Sequence, residues 1–127
     1  MKIERGDILM VVLRQVPGSS IQNGNRPVVV VSNNKANTYS PVLTVVPFTS
    51  KLHKKRYLPT HVFVSRYEMT GLNRHGLVLA EQVTSIAVQD IIQKCGRVNE
   101  MAMKRITRAV EIQMGIGDEA GNDSRGI

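Results

Sequence analysis

The chain has 127 residues, a length that suits one domain able to bury roughly two thirds of its unfolded-chain surface. Its 17 Lys and Arg residues against 10 Asp and Glu give a net charge of +7, which favours a polyanionic partner without excluding an acidic protein. The single cysteine excludes an intrachain disulfide and suits a reduced, cytoplasmic setting. No apolar run is long enough for a signal peptide or a membrane span, so we expect no membrane partner.

The first half of the chain predicts short strands separated by turns. β-branched residues are frequent, and strands are expected at Ile8–Leu13, Val28–Val31 and Val42–Phe48. Arg14–Asn25 is a loop of about a dozen residues, and loops of this length in a compact domain are usually functional or mobile. One helical turn is expected within residues 32–38. Alternation along the third strand assigns one face to Val42, Thr44, Val46 and Phe48 and the other to Leu43, Val45, Pro47 and Thr49.

The second half predicts three further strands, at His61–Val64, Gly76–Ala80 and Lys94–Val98. Residues 81–86 are expected to continue extended, and residues 89–92 to form a short helical turn. Ser65–His75 is a second long connection. The main basic run is Lys51–Arg56, and its position just after a strand end favours contact with nucleic acid over simple solvation.

A helix is predicted after Asn99, a favourable N-cap, and Gly115 and Gly117 are expected to end it. Its apolar stripe at helical spacing consists of Met103, Ile106, Val110 and Met114. Many short strands followed by one terminal helix predict a mostly β fold, arranged as a small open barrel or a strongly bent sheet. We expect one domain over residues 1–116 and a disordered tail over residues 117–127.

The residue types present exclude several common mechanisms. No histidine pair has metal-ligand spacing, the one cysteine has no partner, and neither a phosphate-binding glycine loop nor a serine-hydrolase motif occurs. Arginine, hydroxyl, amide and histidine side chains remain. This set suits metal-free RNA cleavage, in which the 2′-hydroxyl of the substrate attacks its own phosphate. We therefore predict neither a cofactor nor a metal.

Arg26 and Thr49 are the candidate catalytic residues. Arg26 stands where the first loop enters an apolar strand, so a rigid element fixes its backbone while its guanidinium can bind a phosphate. Thr49 follows another strand and can donate a hydroxyl hydrogen bond to the same phosphate. Arginine is a poor general base because it keeps its proton, so its main role is charge stabilisation. His61 is a candidate acid or base, although its place on a predicted strand favours a structural role.

Segments of the chain resemble the MazF/PemK (Kid-like) toxin family. In chain order they are Gly6-Asp7, Gly18-Ser19 with Gly24-Asn25-Arg26-Pro27, Val46–Ser50, Leu58–Val62 and Glu81–Ile86. The predicted terminal helix stands where the last helix of that family does, so the resemblance covers about residues 3–116. One departure lies in the first loop, where the family often has Glu after Gly-Ser and this chain has Ser20.

The resemblance implies the toxin of a type II toxin–antitoxin system with an SH3-like barrel of the CcdB/MazF plasmid-maintenance type. Such toxins are homodimeric mRNA interferases, which cut single-stranded RNA at specific sequences without metal and leave 2′,3′-cyclic phosphate and 5′-hydroxyl ends. An antitoxin blocks them by occupying the RNA groove. The resemblance places Arg26 and Thr49 at the catalytic positions.

Polar residues near these positions are expected to bind RNA, namely Ser19, Ser20, Gln22, Asn25, Ser50, Lys51, Lys54 and Gln82. Two alternatives stay open. A non-catalytic barrel would bind nucleic acid or a protein without cutting RNA, and a gyrase-directed toxin of the same fold would inhibit a topoisomerase. The Arg-Pro pair together with the threonine favours the endoribonuclease.

Overall fold

The computed structural model of the protein describes residues 1–14, 17–19, 21–52 and 58–117. The strands within these residues are β1 (Asp7–Leu13), β2 (Gly24–Val30), β3 (Val42–Thr49), β4 (His61–Val64), β5 (Gly76–Leu79), β6 (Thr84–Ala87) and β7 (Ile91–Arg97). The α-helices are α1 (Asn34–Tyr39) and α2 (Glu100–Gln113), and short 3-10 turns occupy Arg66–Glu68, Ala80–Gln82 and Val88–Asp90. The predicted mostly β chain with a C-terminal helix is confirmed.

The sheet bends around β3. Antiparallel pairing follows the order β4-β5-β3-β2-β1-β7, and β6 pairs with β3 beside this path. Residues 42–45 of β3 pair with β6, whereas Phe48 and Thr49 pair with β5. Because one strand exchanges neighbours partway along its length, the sheet curves into the bent, barrel-like form that the sequence predicts.

Alternate side chains of β3 enter two separate apolar clusters. Val46 and Phe48 belong to the cluster that also contains residues of α2, while Leu43 and Val45 belong to a second cluster with β1 and β2. The predicted assignment of faces along β3 is therefore confirmed. The strand is buried on both faces along most of its length, which holds its last residue in a fixed position.

The helix α2 packs against the sheet through two alanines and one isoleucine. Its N-cap is Asn99, as predicted, and the fully or almost fully buried residues are Ala102, Ile106 and Ala109. Met103 and Val110 of the predicted stripe pack at the edge of the cluster. The prediction for Met114 is wrong. That side chain is 61% exposed, because the helix ends at Gln113 and the chain reverses at a glycine with φ of 76°.

Several strand boundaries differ from the sequence prediction by one residue, and the starts of β2 and β7 differ by more. β2 begins at Gly24, before Pro27, which lies opposite Met10 of β1. Pairing with β3 begins only at the next residue, so the missing N–H of the proline is tolerated there. β7 begins at Ile91 instead of Lys94. It is a largely exposed edge strand with two register shifts against β1, so no alternation of apolar residues marks its start.

The prediction for the connection from β5 to β6 is also wrong, because it makes residues 81 and 82 extended. They belong to a 3-10 turn, Ala80–Gln82, closed by a hydrogen bond from the N–H of Val83 to the carbonyl of Ala80 at 3.1 Å. The turn lies where the chain passes from the end of β3 that pairs with β5 to the end that pairs with β6.

The predicted domain over residues 1–116 stays a prediction, as does the tail over residues 117–127, of which residues 118–127 lie outside the described part of the chain. Among the described helices, none has both the length and the apolar character needed to cross a membrane.

Candidate active site

Arg26 is held by β2 and by the loop before it. It lies opposite Val11 of β1 and is half-buried. Its Nε–H donates to the backbone carbonyl of Asn23, 2.9 Å away. No carboxylate of the described residues forms an ion pair with this guanidinium. The strand thus fixes the backbone and one hydrogen bond orients the group, while its other N–H donors can bind an anion.

Thr49 is the last residue of β3. It lies beside Leu77 of β5 and is 4% exposed. Its hydroxyl oxygen accepts a hydrogen bond from the backbone N–H of Lys51 at 3.2 Å. Because that bond uses an oxygen lone pair, the hydroxyl proton can be donated to a ligand.

Arg26 and Thr49 line the same cavity, which has a volume of about 430 Å³ and is called the Arg26 cavity below. Ser50, a predicted RNA-binding residue, lines it as well. The other lining residues are Met10, Pro27, Phe48, Gly71, Leu72, Asn73 and Arg74. No carboxylate is among the described residues that line it, so the cavity combines positive charge with hydroxyl donors. That combination suits a phosphate group.

Asn73 and Arg74 are functional candidates that the sequence reasoning missed. Both lie in the connection between β4 and β5 and line the Arg26 cavity. The length and polarity of that connection were the available signal, since long loops in compact domains often carry function. Nothing in the sequence indicated which strand end the loop would reach.

Gln22 and Gln82, two predicted RNA-binding residues, are brought together elsewhere. The backbone N–H of Gln22 donates to the side-chain carbonyl of Gln82 at 2.8 Å. Both line a second cavity of about 530 Å³, called the glutamine cavity below, together with Pro47 of β3. Its other polar lining residues include two carboxylates, and they are Arg14, Glu81, Thr84, Ser85, Gln89 and Asp90. These amide, hydroxyl and guanidinium groups include both donors and acceptors of the kind that base edges require.

The remaining predicted RNA-binding residues are not gathered by the described structure into either cavity. Ser19, Asn25 and Lys51 are exposed and line neither the Arg26 cavity nor the glutamine cavity. Ser20 and Lys54 lie outside the described residues, as does most of the basic run, residues 53–56. Their predicted roles stay predictions.

His61 is placed away from the Arg26 cavity. Its side chain is 3% exposed, and its Nε2 lies 2.7 Å from Oε2 of Glu81. The other carboxylate oxygen of Glu81 accepts from the hydroxyl of Thr60 at 2.9 Å. This geometry favours the structural interpretation of His61, which ties the start of β4 to the turn after β5.

The described residues contain no group of three or more His, Cys, Asp or Glu side chains that could hold a metal ion. The Arg26 cavity instead offers guanidinium and hydroxyl groups. Its chemistry is hydrogen bonding to, and charge neutralisation of, a bound anion.

Comparison with known proteins places this architecture among toxins. The family model described as "PemK-like, MazF-like toxin of type II toxin-antitoxin system" matches residues 4–114. Endoribonuclease MazF of Staphylococcus saprophyticus subsp. saprophyticus is 31% identical over 114 residues, which cover 90% of this chain and 92% of that protein.

Solved structures show the same fold. An endoribonuclease from a mycobacterial species has a TM-score of 0.73 at 21% identity, over 93% of this chain and 96% of that chain. MazF from Deinococcus radiodurans has a TM-score of 0.74 at 17% identity, and the match covers 91% of this chain and 99% of that chain. A mycobacterial endoribonuclease in complex with its cognate antitoxin has a TM-score of 0.68 at 21% identity, and the match covers 92% of this chain and 97% of that chain.

Proposed function

We propose that this chain, which belongs to the PemK-like, MazF-like toxin family of type II toxin–antitoxin systems and is an endoribonuclease, cleaves single-stranded RNA in the Arg26 cavity. One observation carries the proposal. Arg26 from β2 and Thr49 from β3 line one cavity, and no carboxylate is among the described residues around it. A guanidinium and a hydroxyl donor are the groups that stabilise the negative charge of a phosphoryl transition state.

The proposed reaction uses a nucleophile that the RNA itself supplies. The 2′-hydroxyl oxygen bonds to the adjacent phosphorus, and the bond from that phosphorus to the 5′ oxygen of the next nucleotide breaks. The 2′-hydroxyl loses its proton and the 5′ oxygen gains one, which leaves a 2′,3′-cyclic phosphate and a 5′-hydroxyl. Arg26 would neutralise the charge on the non-bridging oxygens, and Thr49 would donate a hydrogen bond to one of them. The contribution of the protein is therefore positioning and charge stabilisation.

The glutamine cavity is the proposed site for an unpaired base. Pro47 lines this cavity and Thr49 lines the Arg26 cavity, and the two residues lie on the same face of β3, about 7 Å apart. Unpaired bases are recognised through hydrogen bonds on their edges, which Gln22 and Gln82 can supply. The cavity that selects the base and the cavity in which the RNA is cut would thus lie next to each other along β3.

One experiment tests the activity and its specificity together. The purified protein is incubated with a long single-stranded RNA in the presence of EDTA, and the 5′ ends of the products are sequenced. We expect cuts at a recurring short sequence, with 5′-hydroxyl and 2′,3′-cyclic phosphate ends. Binding of the RNA without any cut would support the non-catalytic barrel, and cleavage only after divalent metal is added would contradict the proposed mechanism.

The proposed partners are an antitoxin and a second copy of the chain. Solved relatives include a mycobacterial endoribonuclease with its cognate antitoxin and MazE–MazF from Deinococcus radiodurans, and an acidic antitoxin segment would complement the net charge of +7. Aliphatic side chains at least 41% exposed on or beside the strands provide a surface for a symmetric dimer, and they are Val12, Val42, Val88 and Ile92. Sedimentation analysis should then give twice the monomer mass of 14.1 kDa. We propose that the protein acts on mRNA in the cytoplasm.

A further inference from the structure

The Arg26 cavity contains a second guanidinium, that of Arg74. No ion pair in the described part of the chain includes either Arg26 or Arg74. Two like charges that share one cavity repel each other, and a carboxylate that would offset the repulsion is absent from the described lining. An anion with more than one charged group would offset this repulsion if it bound across the cavity.

The loop segment that carries Arg74, residues 71–75, is fixed at its first residue. Gly71 has φ of 85°, and a Cβ there would lie 2.0 Å from the carbonyl oxygen of Cys95 on β7. A Cβ on Gly96 would likewise lie 2.1 Å from the carbonyl oxygen of Thr70. The N–H of Thr70 donates to the carbonyl of Arg97 at 2.9 Å, so backbone hydrogen bonding joins the same two segments. Only glycine permits this close approach of the loop to β7.

The loop is fixed at its other end as well. Nδ1 of His75 accepts a hydrogen bond from the backbone N–H of Arg66 at 3.0 Å. The ring of His75 also lies against Phe63 of β4, with ring centroids 5.7 Å apart. Arg74 therefore stands between two anchored positions, which reduces the backbone entropy lost when its side chain binds a ligand.

We propose that Arg74 binds the RNA phosphate next to the one that is cleaved. This inference rests on the proposed function. Arg26 is half-buried and tied to Asn23, whereas Arg74 is exposed on a different element of the same cavity. The guanidinium of Arg26 and the hydroxyl of Thr49 serve the scissile phosphate, and Arg74 positions the strand by holding a neighbouring phosphate.

The first test measures binding separately from cleavage. The probe is a labelled single-stranded RNA that contains the mapped cut sequence with a 2′-O-methyl group at the cleaved nucleotide, and its affinity is measured by fluorescence anisotropy at several salt concentrations. We expect Arg74→Ala to bind about tenfold more weakly at low salt, the loss typical of one charge-assisted hydrogen bond. The plot of log affinity against log salt has a negative slope, and its magnitude should decrease by about 0.7, as for the loss of one phosphate contact.

Two variants control this measurement. Arg74→Lys keeps the charge and should retain the salt slope of the parent. Lys35→Ala removes an exposed cation of α1 that does not line the Arg26 cavity, and it should bind as the parent does. An affinity and a slope for Arg74→Ala equal to those of the parent would overturn the inference.

The second test locates the phosphate. Replacing a single phosphate on either side of the cut by a neutral methylphosphonate should weaken binding of the parent at one of the two positions. At that position the replacement should have no further effect on Arg74→Ala, because the two changes remove the same contact. Additive losses at both positions would contradict the assignment.

The inference and the proposed function fail in different ways. If the parent cuts no RNA and binds none, both fail. If the parent cuts RNA and Arg26→Ala does not, but Arg74→Ala binds as tightly as the parent, only the role of Arg74 is wrong.

Discussion

The two loops that lead to the guanidiniums of the Arg26 cavity use glycine in different ways. In the first loop, Gly18 has φ of 73°, and a Cβ there would meet no atom within 4 Å. In the second loop, a Cβ on Gly71 would overlap the backbone of β7. The glycine of the first loop therefore serves a local turn, and that of the second serves contact with a distant strand. One side of the site is set by local backbone preference and the other by the packing of the sheet.

The largest expected effect lies on β2, just after the first loop. We expect Arg26→Ala to lower kcat for the mapped RNA by about 10²-fold or more, because it removes the cation that stabilises the transition state. The melting temperature should stay close to that of the parent, since this half-buried side chain has no described ion pair to lose. The measurement is steady-state cleavage at saturating RNA, with Lys35→Ala as the control. A kcat within threefold of the parent would remove Arg26 from the catalytic site.

The next effect tests the anchored loop. Gly96→Ala should destabilise the fold by about 1–3 kcal/mol in urea unfolding, because its Cβ has no room beside the carbonyl of Thr70. The displaced second loop should also bind RNA more weakly at concentrations where the variant is still folded. Unchanged stability together with unchanged binding would show that the loop does not depend on its contact with β7.

A smaller effect is expected in the first loop. Gly18→Ala should destabilise the fold by about 1 kcal/mol, because a Cβ is strained at its positive φ although the space around it is open. Gly18→Asn should recover most of that loss, since asparagine tolerates the left-handed region. The same urea experiment measures both. If Gly18→Ala costs more than Gly96→Ala, the contrast between the two loops is wrong.

The smallest effect concerns acid stability at the start of the second connection. The hydrogen bond from Arg105 lowers the pKa of Glu68, whose carboxylate also accepts from the N–H of Ser65. Because the folded pKa lies below the unfolded one, the carboxylate stabilises the fold above its ordinary value of 4.5, and this stabilisation is lost as pH falls through the folded pKa. Glu68→Gln should therefore lose less stability on acidification than the parent, by less than about 1 kcal/mol. In thermal melts, the stability of Arg105→Gln should likewise depend less on pH than that of the parent. For either variant, a dependence on pH identical to that of the parent would contradict the assignment.

Much of the fold follows from local patterns in the sequence. The alternation of β3 assigned its two faces correctly, because its side chains enter two apolar clusters on opposite sides. Asn99 was recognised as an N-cap, because its side chain accepts from the N–H of Ala102 at 2.9 Å and such caps are a local property. Arg26 and Thr49 were predicted as site residues because each stands near a junction between a strand and a loop, and the structure places both at one cavity; their catalytic role stays a prediction.

The parts that sequence reasoning missed depend on contacts between distant residues. The approach of Gly71 to Cys95 joins residues far apart in the chain, and no pattern around either residue announces it. The exchange of neighbours along β3 decides which loops meet at Thr49, and thereby brings Arg74 to the cavity. Exposed edge strands such as β7 lack an alternation of apolar and polar residues, so their first and last residues are set only by pairing with the neighbouring strand.

The course of β3 has a consequence for inhibition. Both cavities are lined by residues of this one strand, Pro47 for the glutamine cavity and Thr49 for the Arg26 cavity, and the strand is buried on both faces. A closely packed interior resists continuous deformation, so the two cavities are not separated by a hinge that a regulator can open. We expect an inhibitor of this protein to act by covering the cavities in competition with RNA, which raises KM and leaves kcat unchanged.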